Sequence, residues 1–226
     1  TISGPYGVKT FTTAGNVTLV ANKKYDGGQK PAITTVNLLP FTTADAEVNA
    51  VRSGEVDYGY INATDMDQES SFTAKGYSVE PWTGWAITYM PYNFNNPTMG
   101  AVFKQLYARQ AVQMSIDQKS LSKVVFNGTA TTTYGPVPQA QESDYVSDVQ
   151  KSNPYPFSTS KAKDLLTSHG WEEQGGTMVC TDPGTSASQC GEGVEQGTKF
   201  SMQVLSQSGS TVTDNMMSAI QSSLAK

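Results

Sequence analysis

The fold class expected from this chain is α/β, and three observations carry it. Segments alternating apolar and polar residues are interleaved with segments of helical period. Several helical segments carry end signals, Asn62 or Thr64 and Asp117 at starts and Gly54, Gly128 and Gly170 at ends, the residues that satisfy helix ends. No internal repeat divides the 226 residues, so one large domain or two lobes fit the length.

The elements follow in order. Gly4-Pro5-Tyr6 opens a first extended segment, and residues 16–21 make a second, with Ala14-Gly15 as the turn between them. Residues 22–28 are a loop, and residues 32–39 read as a third strand ending at Pro40. A helix from about Asp45 runs into Gly54, and Val56, Tyr58 and Tyr60 then alternate as a short strand over residues 56–61. Asn62 or Thr64 caps a short helix that reaches Lys75-Gly76.

Residues 77–80 and 86–93 read as extended, the latter rich in aromatics. Residues 99–115 form one helix with a stripe of Val102, Phe103, Leu106, Ala111, Val112 and Met114. Asp117 caps the next, with Leu121, Val124, Val125 and Phe126 inward and Asn127-Gly128 at its end. Residues 129–157 are a long loop, followed by a helix over residues 158–169 closed by Gly170. Residues 199–207 alternate as a strand, and a last helix starts at Thr211.

Composition narrows the function. Charged residues make up only 15% of the chain and the net charge is −5, with Arg at Arg52 and Arg109 alone. No basic cluster exists, which argues against a nucleic-acid partner. No apolar run approaches the roughly 20 residues of a membrane span. The polar, weakly ionic surface is that of many exported proteins. Cys180 and Cys190 flank Thr-Asp-Pro-Gly-Thr-Ser-Ala-Ser-Gln, a turn-rich loop that can bring its ends together. A disulfide there implies an oxidising compartment; two reduced thiols are the alternative. Two thiols and the lone His169 make no metal site. A single His and the lack of Gly-x-Ser-x-Gly argue against a hydrolase.

Six segments then carry a family resemblance. They are Gly4-Pro5-Tyr6; Asn22-Lys23-Lys24-Tyr25, like "RNPxY"; and Ser53-Gly54-Glu55-Val56-Asp57. Next come Tyr107-Ala108-Arg109-Gln110-Ala111-Val112 with Ser115-Ile116-Asp117, like "VRQAL…AID", and Asn127-Gly128 with Gly135-Pro136-Val137-Pro138. Last is Ala162-Lys163-Asp164-Leu165-Leu166 with His169-Gly170-Trp171, like "AKxLLxxAGW". In this order and spacing the chain resembles the family-5 extracellular solute-binding proteins of ABC importers, the dipeptide, oligopeptide and nickel receptors. Lys23 and Tyr107-Ala108 depart from the pattern at positions of turn and packing.

The resemblance implies a periplasmic-binding-protein-like type II fold of two lobes. Residues 1–82 would be part of lobe I and residues 83–226 lobe II, truncated at its C-terminal end, with further parts of both lobes outside this chain. It implies a binding protein rather than an enzyme, with no cofactor, acting as a monomer. The protein would be lipid-anchored outside the cytoplasmic membrane or periplasmic, and would serve an ABC permease. Peptide is the expected ligand, with an oligosaccharide or metal chelate as alternatives. A cell-surface glycan-binding module without transport is the competing class.

Candidate ligand contacts are Tyr60, Ile61 and Asn62 after the "SGEVD" motif, and Trp82, Thr83, Gly84 and Trp85 at the expected crossover between lobes. The competing readings are core packing for Tyr60, helix capping for Asn62 and packing between lobes for the Trp residues. Tyr134 to Pro138 are a further candidate border of the cleft. Arg109 reads as structural, Asp117 as a cap and His169 as a surface residue at a helix end.

Overall fold

The computed structural model describes residues 3–82, 84–139 and 142–225. Two compact units divide it, Thr1–Ile61 and Asn62–Lys226. In the first, β1 (Tyr6–Phe11) and β2 (Val17–Ala21) pair antiparallel through the Gly15 turn, and β2 pairs antiparallel with β3 (Thr35–Leu38). The third strand is shorter than expected: residues 32–34 precede the ladder, which runs from the Val20–Thr35 pair to the Val17–Leu38 pair.

Helix α1 (Ala44–Ser53) begins at Thr43, whose Oγ1 accepts the Ala46 N–H at 3.2 Å. Asp45 and Glu47 in its first turn and Arg52 in its last complement the helix dipole. Gly54 ends it at φ 82°, a conformation that costs other residues. Val48, Ala50 and Val51 are its buried side.

Residues 56–61 do not form the expected strand. Alternation supplies a face, but a strand also needs a neighbouring edge. The Tyr60 N–H instead donates to Glu47 Oε1 at 2.9 Å. The same limit applies to residues 199–207, where Lys199 forms an isolated bridge with Val179 and no strand follows.

The second unit opens with a 3-10 helix (Ala63–Gln68) and α2 (Glu69–Thr73), in place of one continuous helix. The helix expected over residues 99–115 is two: α3 (Gly100–Lys104) and α4 (Leu106–Met114). Gln105 between them is extended, at φ −73° and ψ 126°, and its Nε2 donates to the carbonyls of Ala101 (3.2 Å) and Glu192 (3.3 Å). The break changes the phase of the apolar stripe. Leu106 turns out to solvent, 58% exposed, while Tyr107 and Ala108 turn in. Arg109 closes the freed end of α3, its Nη1 donating to the carbonyls of Phe103 and Lys104 (3.0 Å). The structural reading of Arg109 holds.

Asp117 caps α5 (Gln118–Val125), accepting the Ser120 N–H at 3.0 Å and the Ser120 hydroxyl at 2.6 Å. Those two bonds hold its carboxyl below the ordinary Asp range. Val124, expected inward, is 75% exposed; Val125 takes the core position. Asp117→Ala should cost about 1 kcal/mol of stability at neutral pH. The folded pKa is depressed, so the carboxylate stabilises above the unfolded pKa and loses that effect as pH falls through the folded value. Wild type and variant should therefore converge in acid, as urea titrations at several pH values would test. A constant gap across that range would refute the cap.

The long loop after Phe126 carries a short helix, α6 (Asp148–Lys151), that alternation and capping did not reveal. Helix α7 (Thr159–Thr167) is capped by Ser158. It leads into a hairpin unforeseen from the sequence, β4 (Trp171–Gln174) and β5 (Thr177–Cys180), antiparallel from the Trp171–Cys180 pair to the Gln174–Thr177 pair. Gly175 (φ 61°) and Gly176 (φ 82°) form its turn, both in the region that a two-residue hairpin turn of this hand requires. The last helix, α8 (Thr211–Leu224), is capped by Ser210.

The core of this unit draws Val102, Phe103, Tyr107, Ala108 and Ala111 from α3 and α4, Ala162 and Leu166 from α7, and Trp171 and Cys180 from the hairpin. Cys180 and Cys190 are joined in a disulfide, with Cα atoms 6.1 Å apart and both residues fully buried.

Candidate functional site

Each unit presents its own share of the candidate residues. In the first, Tyr60 is 58% exposed, so it does not pack the core. Gly59 allows this placement, because a Cβ there would lie 2.6 Å from Val51 Cγ2 on α1. The Tyr60 ring meets Tyr58 edge-on, with centroids 5.9 Å apart. A hydrogen bond between the two side chains is the first cause that pushes the Tyr60 hydroxyl above the ordinary tyrosine range. Ile61 is half-buried.

In the second unit, Asn62 stands at the cap position of the 3-10 helix, but its side chain makes no capping bond. Its Nδ2 donates instead to Asp65 Oδ2 at 3.3 Å. Trp82 (80% exposed) and Trp85 (59%) both present their rings outward, and Gly84 between them is exposed. Thr83 lies outside the described residues. The segment therefore offers large apolar rings with indole N–H donors, surface that suits a ligand side chain or a sugar face.

A second polar constellation escaped the sequence reading. Trp171 Nε1 donates to the Tyr107 hydroxyl at 2.8 Å, and that hydroxyl donates to the Cys190 carbonyl at 2.6 Å. The His169 ring stacks on Tyr107, centroids 3.9 Å apart, and its Nδ1 faces the Leu165 carbonyl at 2.7 Å. His169 is thus half-buried and structural rather than a surface residue. Burial pushes the Tyr107 hydroxyl above its ordinary range. The one signal in the sequence was that Tyr107 departs from the family pattern.

An open groove between α4 and α7 is lined by Gln110, Met114, Tyr155, Lys161 and Leu165, and none of the candidate contacts borders it. Among the described residues, no group of three His, Cys, Asp or Glu side chains converges as a metal site would require.

The profile of bacterial extracellular solute-binding proteins, family 5, middle portion, matches residues 1–226. The chain belongs to this family. It is a family of binding proteins, so the expectation that the chain is no enzyme stands with membership. Over 225 residues the chain is 24% identical to the oligopeptide-binding protein AppA of Bacillus subtilis (strain 168), covering 99% of this chain and 37% of AppA. The structure of AppA in complex with a nonapeptide matches with a TM-score of 0.64 at 22% identity, over 99% of this chain and 40% of that one. NikA from Brucella suis, in complex with Fe(III)-EDTA, matches with a TM-score of 0.70 at 20% identity, over 99% and 41%. The fold is therefore that of type II periplasmic binding proteins, in part. The chain spans about two fifths of the length of these relatives.

Proposed function

We propose that the full-length protein is the substrate-binding component of an ABC importer, taking peptides between two lobes and delivering them to a membrane permease. The observation that carries this reading is the family match along all 226 residues, together with the likeness to an oligopeptide-binding protein. Residues 1–82 would belong to lobe I and residues 83–226 to lobe II. Tyr60, Ile61, Asn62, Trp82, Thr83, Gly84 and Trp85 would contact ligand, with Gly84 giving the crossover its backbone freedom. The protein would act outside the cytoplasm, lipid-anchored or periplasmic; an oxidising compartment of that kind agrees with the disulfide. The protein would work as a monomer.

Tryptophan fluorescence of the full-length protein tests this. Titration with a dipeptide and a nonapeptide should give saturation, and Trp82→Ala should weaken binding by roughly tenfold, as expected for an interface aromatic. Fe(III)-EDTA and an oligosaccharide are the competing probes. Saturation by either of these alone would keep the importer role and replace the ligand class. Silence from all probes would sink the solute-binding reading.

A further inference from the structure

The chain holds one Asn-Gly pair, Asn127-Gly128, just past the end of α5. Both residues are exposed, and both lie in the left-handed region, Asn127 at φ 47° and Gly128 at φ 77°. Asn enters that region more readily than most residues, and Gly enters it without strain. Two hydrogen bonds hold the pair. The Gly128 N–H donates to the Ser122 carbonyl at 2.8 Å, reaching back to α5. The Asn127 Nδ2 donates to the Ala63 carbonyl at 2.6 Å, at the first residue of the 3-10 helix. This second bond joins residues 64 positions apart and ties α5 to the 3-10 helix. Within that helix the Asp65 N–H donates to the Asn62 carbonyl at 2.9 Å.

The two donors are also the reacting groups of an intramolecular step open to Asn-Gly pairs. The Gly128 N–H gives its proton to hydroxide, and the nitrogen attacks Asn127 Cγ. The N–Cγ bond forms, the Cγ–Nδ2 bond breaks, and ammonia leaves with a proton taken from water. Water then opens the five-membered imide at either carbonyl, leaving aspartate or isoaspartate at position 127. Glycine suits the step, because no side chain crowds the attacking nitrogen. The space where a Gly128 Cβ would stand is empty to 4 Å.

We propose that Asn127 is a deamidation site guarded by the fold, and that its conversion releases the 3-10 helix from α5. The guard is the pair of hydrogen bonds: one occupies the N–H that must ionise, and the other holds the leaving amide against Ala63. The release follows from the product. A carboxylate has no N–H to donate, so an acceptor would face the Ala63 carbonyl, itself an acceptor. The new charge also sits at the C-terminal end of α5, where the helix dipole disfavours an anion.

Peptide mapping by mass spectrometry tests the site, on full-length protein held in mildly alkaline buffer, native and in guanidinium. Aspartate and isoaspartate should accumulate at position 127 in guanidinium, and roughly tenfold more slowly in the native protein, the weight of two net hydrogen bonds. No conversion in guanidinium overturns the site, and equal rates in the two states overturn the guard. Hydrogen exchange tests the release. Asn127→Asp should speed exchange of the Asp65 amide by about fivefold, one net hydrogen bond, and lower Tm by about 2–4 °C. Asn127→Gly keeps the left-handed turn and removes only the donor, so it should speed the same amide about as much. Wild-type exchange at Asp65 in Asn127→Gly overturns the release, even if Asn127→Asp does not fold.

Discussion

Trp171→Ala is expected to cost about 3–5 kcal/mol of stability, the range for truncating a large aromatic in a core. The indole is fully buried and meets the Phe200 ring edge-on, centroids 5.3 Å apart. Removing it opens a cavity beside Val194, Leu166 and the disulfide, which cannot collapse freely because α4, α7 and the hairpin all border it. It also takes the Nε1 donor from the Tyr107 hydroxyl, which then keeps only its bond to the Cys190 carbonyl. Trp171→Phe separates the two effects. It restores most of the apolar volume and still lacks the N–H, so it should recover more than half of the loss. Against a total of about 5–15 kcal/mol, that loss is a large share of the stability of the fold. Guanidinium denaturation followed by near-UV circular dichroism would measure both. A Trp171→Ala protein within 1 kcal/mol of wild type would remove this residue from the centre of the core.

What could be read from the sequence follows the reach of each physical signal. Helix ends are local. Thr43, Asp117, Ser158 and Ser210 each offer an oxygen to a backbone N–H three residues on; of these the sequence reading named the Asp117 cap, while apolar period with Gly54 and Gly170 placed α1 and α7. The disulfide was equally local, because a turn-rich loop of nine residues brings its own ends together. Strand pairing is not local. Residues 56–61 and 199–207 carry the period of a strand, yet period does not supply a partner. The hairpin failed for the opposite reason: Gly175-Gly176 is a turn signal, but Glu172, Glu173 and Gln174 hide the alternation beside it. The break at Gln105 depends on Glu192, far along the chain, and no periodicity over residues 99–115 could report that contact. The candidate contacts divide in the same way. Exposed Trp82 and Trp85 were visible as aromatics near a Gly, whereas the chain from Trp171 through Tyr107 to Cys190 joins residues far apart in sequence.

Replacing both cysteines, Cys180→Ala with Cys190→Ala, should destabilise the protein by about 2–3 kcal/mol through regained loop entropy in the unfolded chain. The native loop has its own support. Thr181 and Asp182 N–H groups donate to the Gly170 carbonyl at 2.9 and 3.2 Å, and Cys190 N–H donates to the Asp182 carbonyl at 3.0 Å. The double variant should therefore keep the native fold and the Tyr107 to Cys190 bond while losing stability, because the cross-link acts mainly on the unfolded ensemble. A single Cys→Ala variant should lose at least as much and expose a reactive thiol only on unfolding. Both sulfurs sit in residues with no exposed surface, so a thiol reductant can reach them only when the core opens. Wild-type protein in dithiothreitol should stay oxidised until denaturant is added, and then reduce at the rate of unfolding. Thiol counting over time, alongside denaturation of the double variant, measures both. Rapid reduction of the folded protein would show that the loop opens independently of the core, and would separate the disulfide from the Trp171 and Tyr107 network that surrounds it.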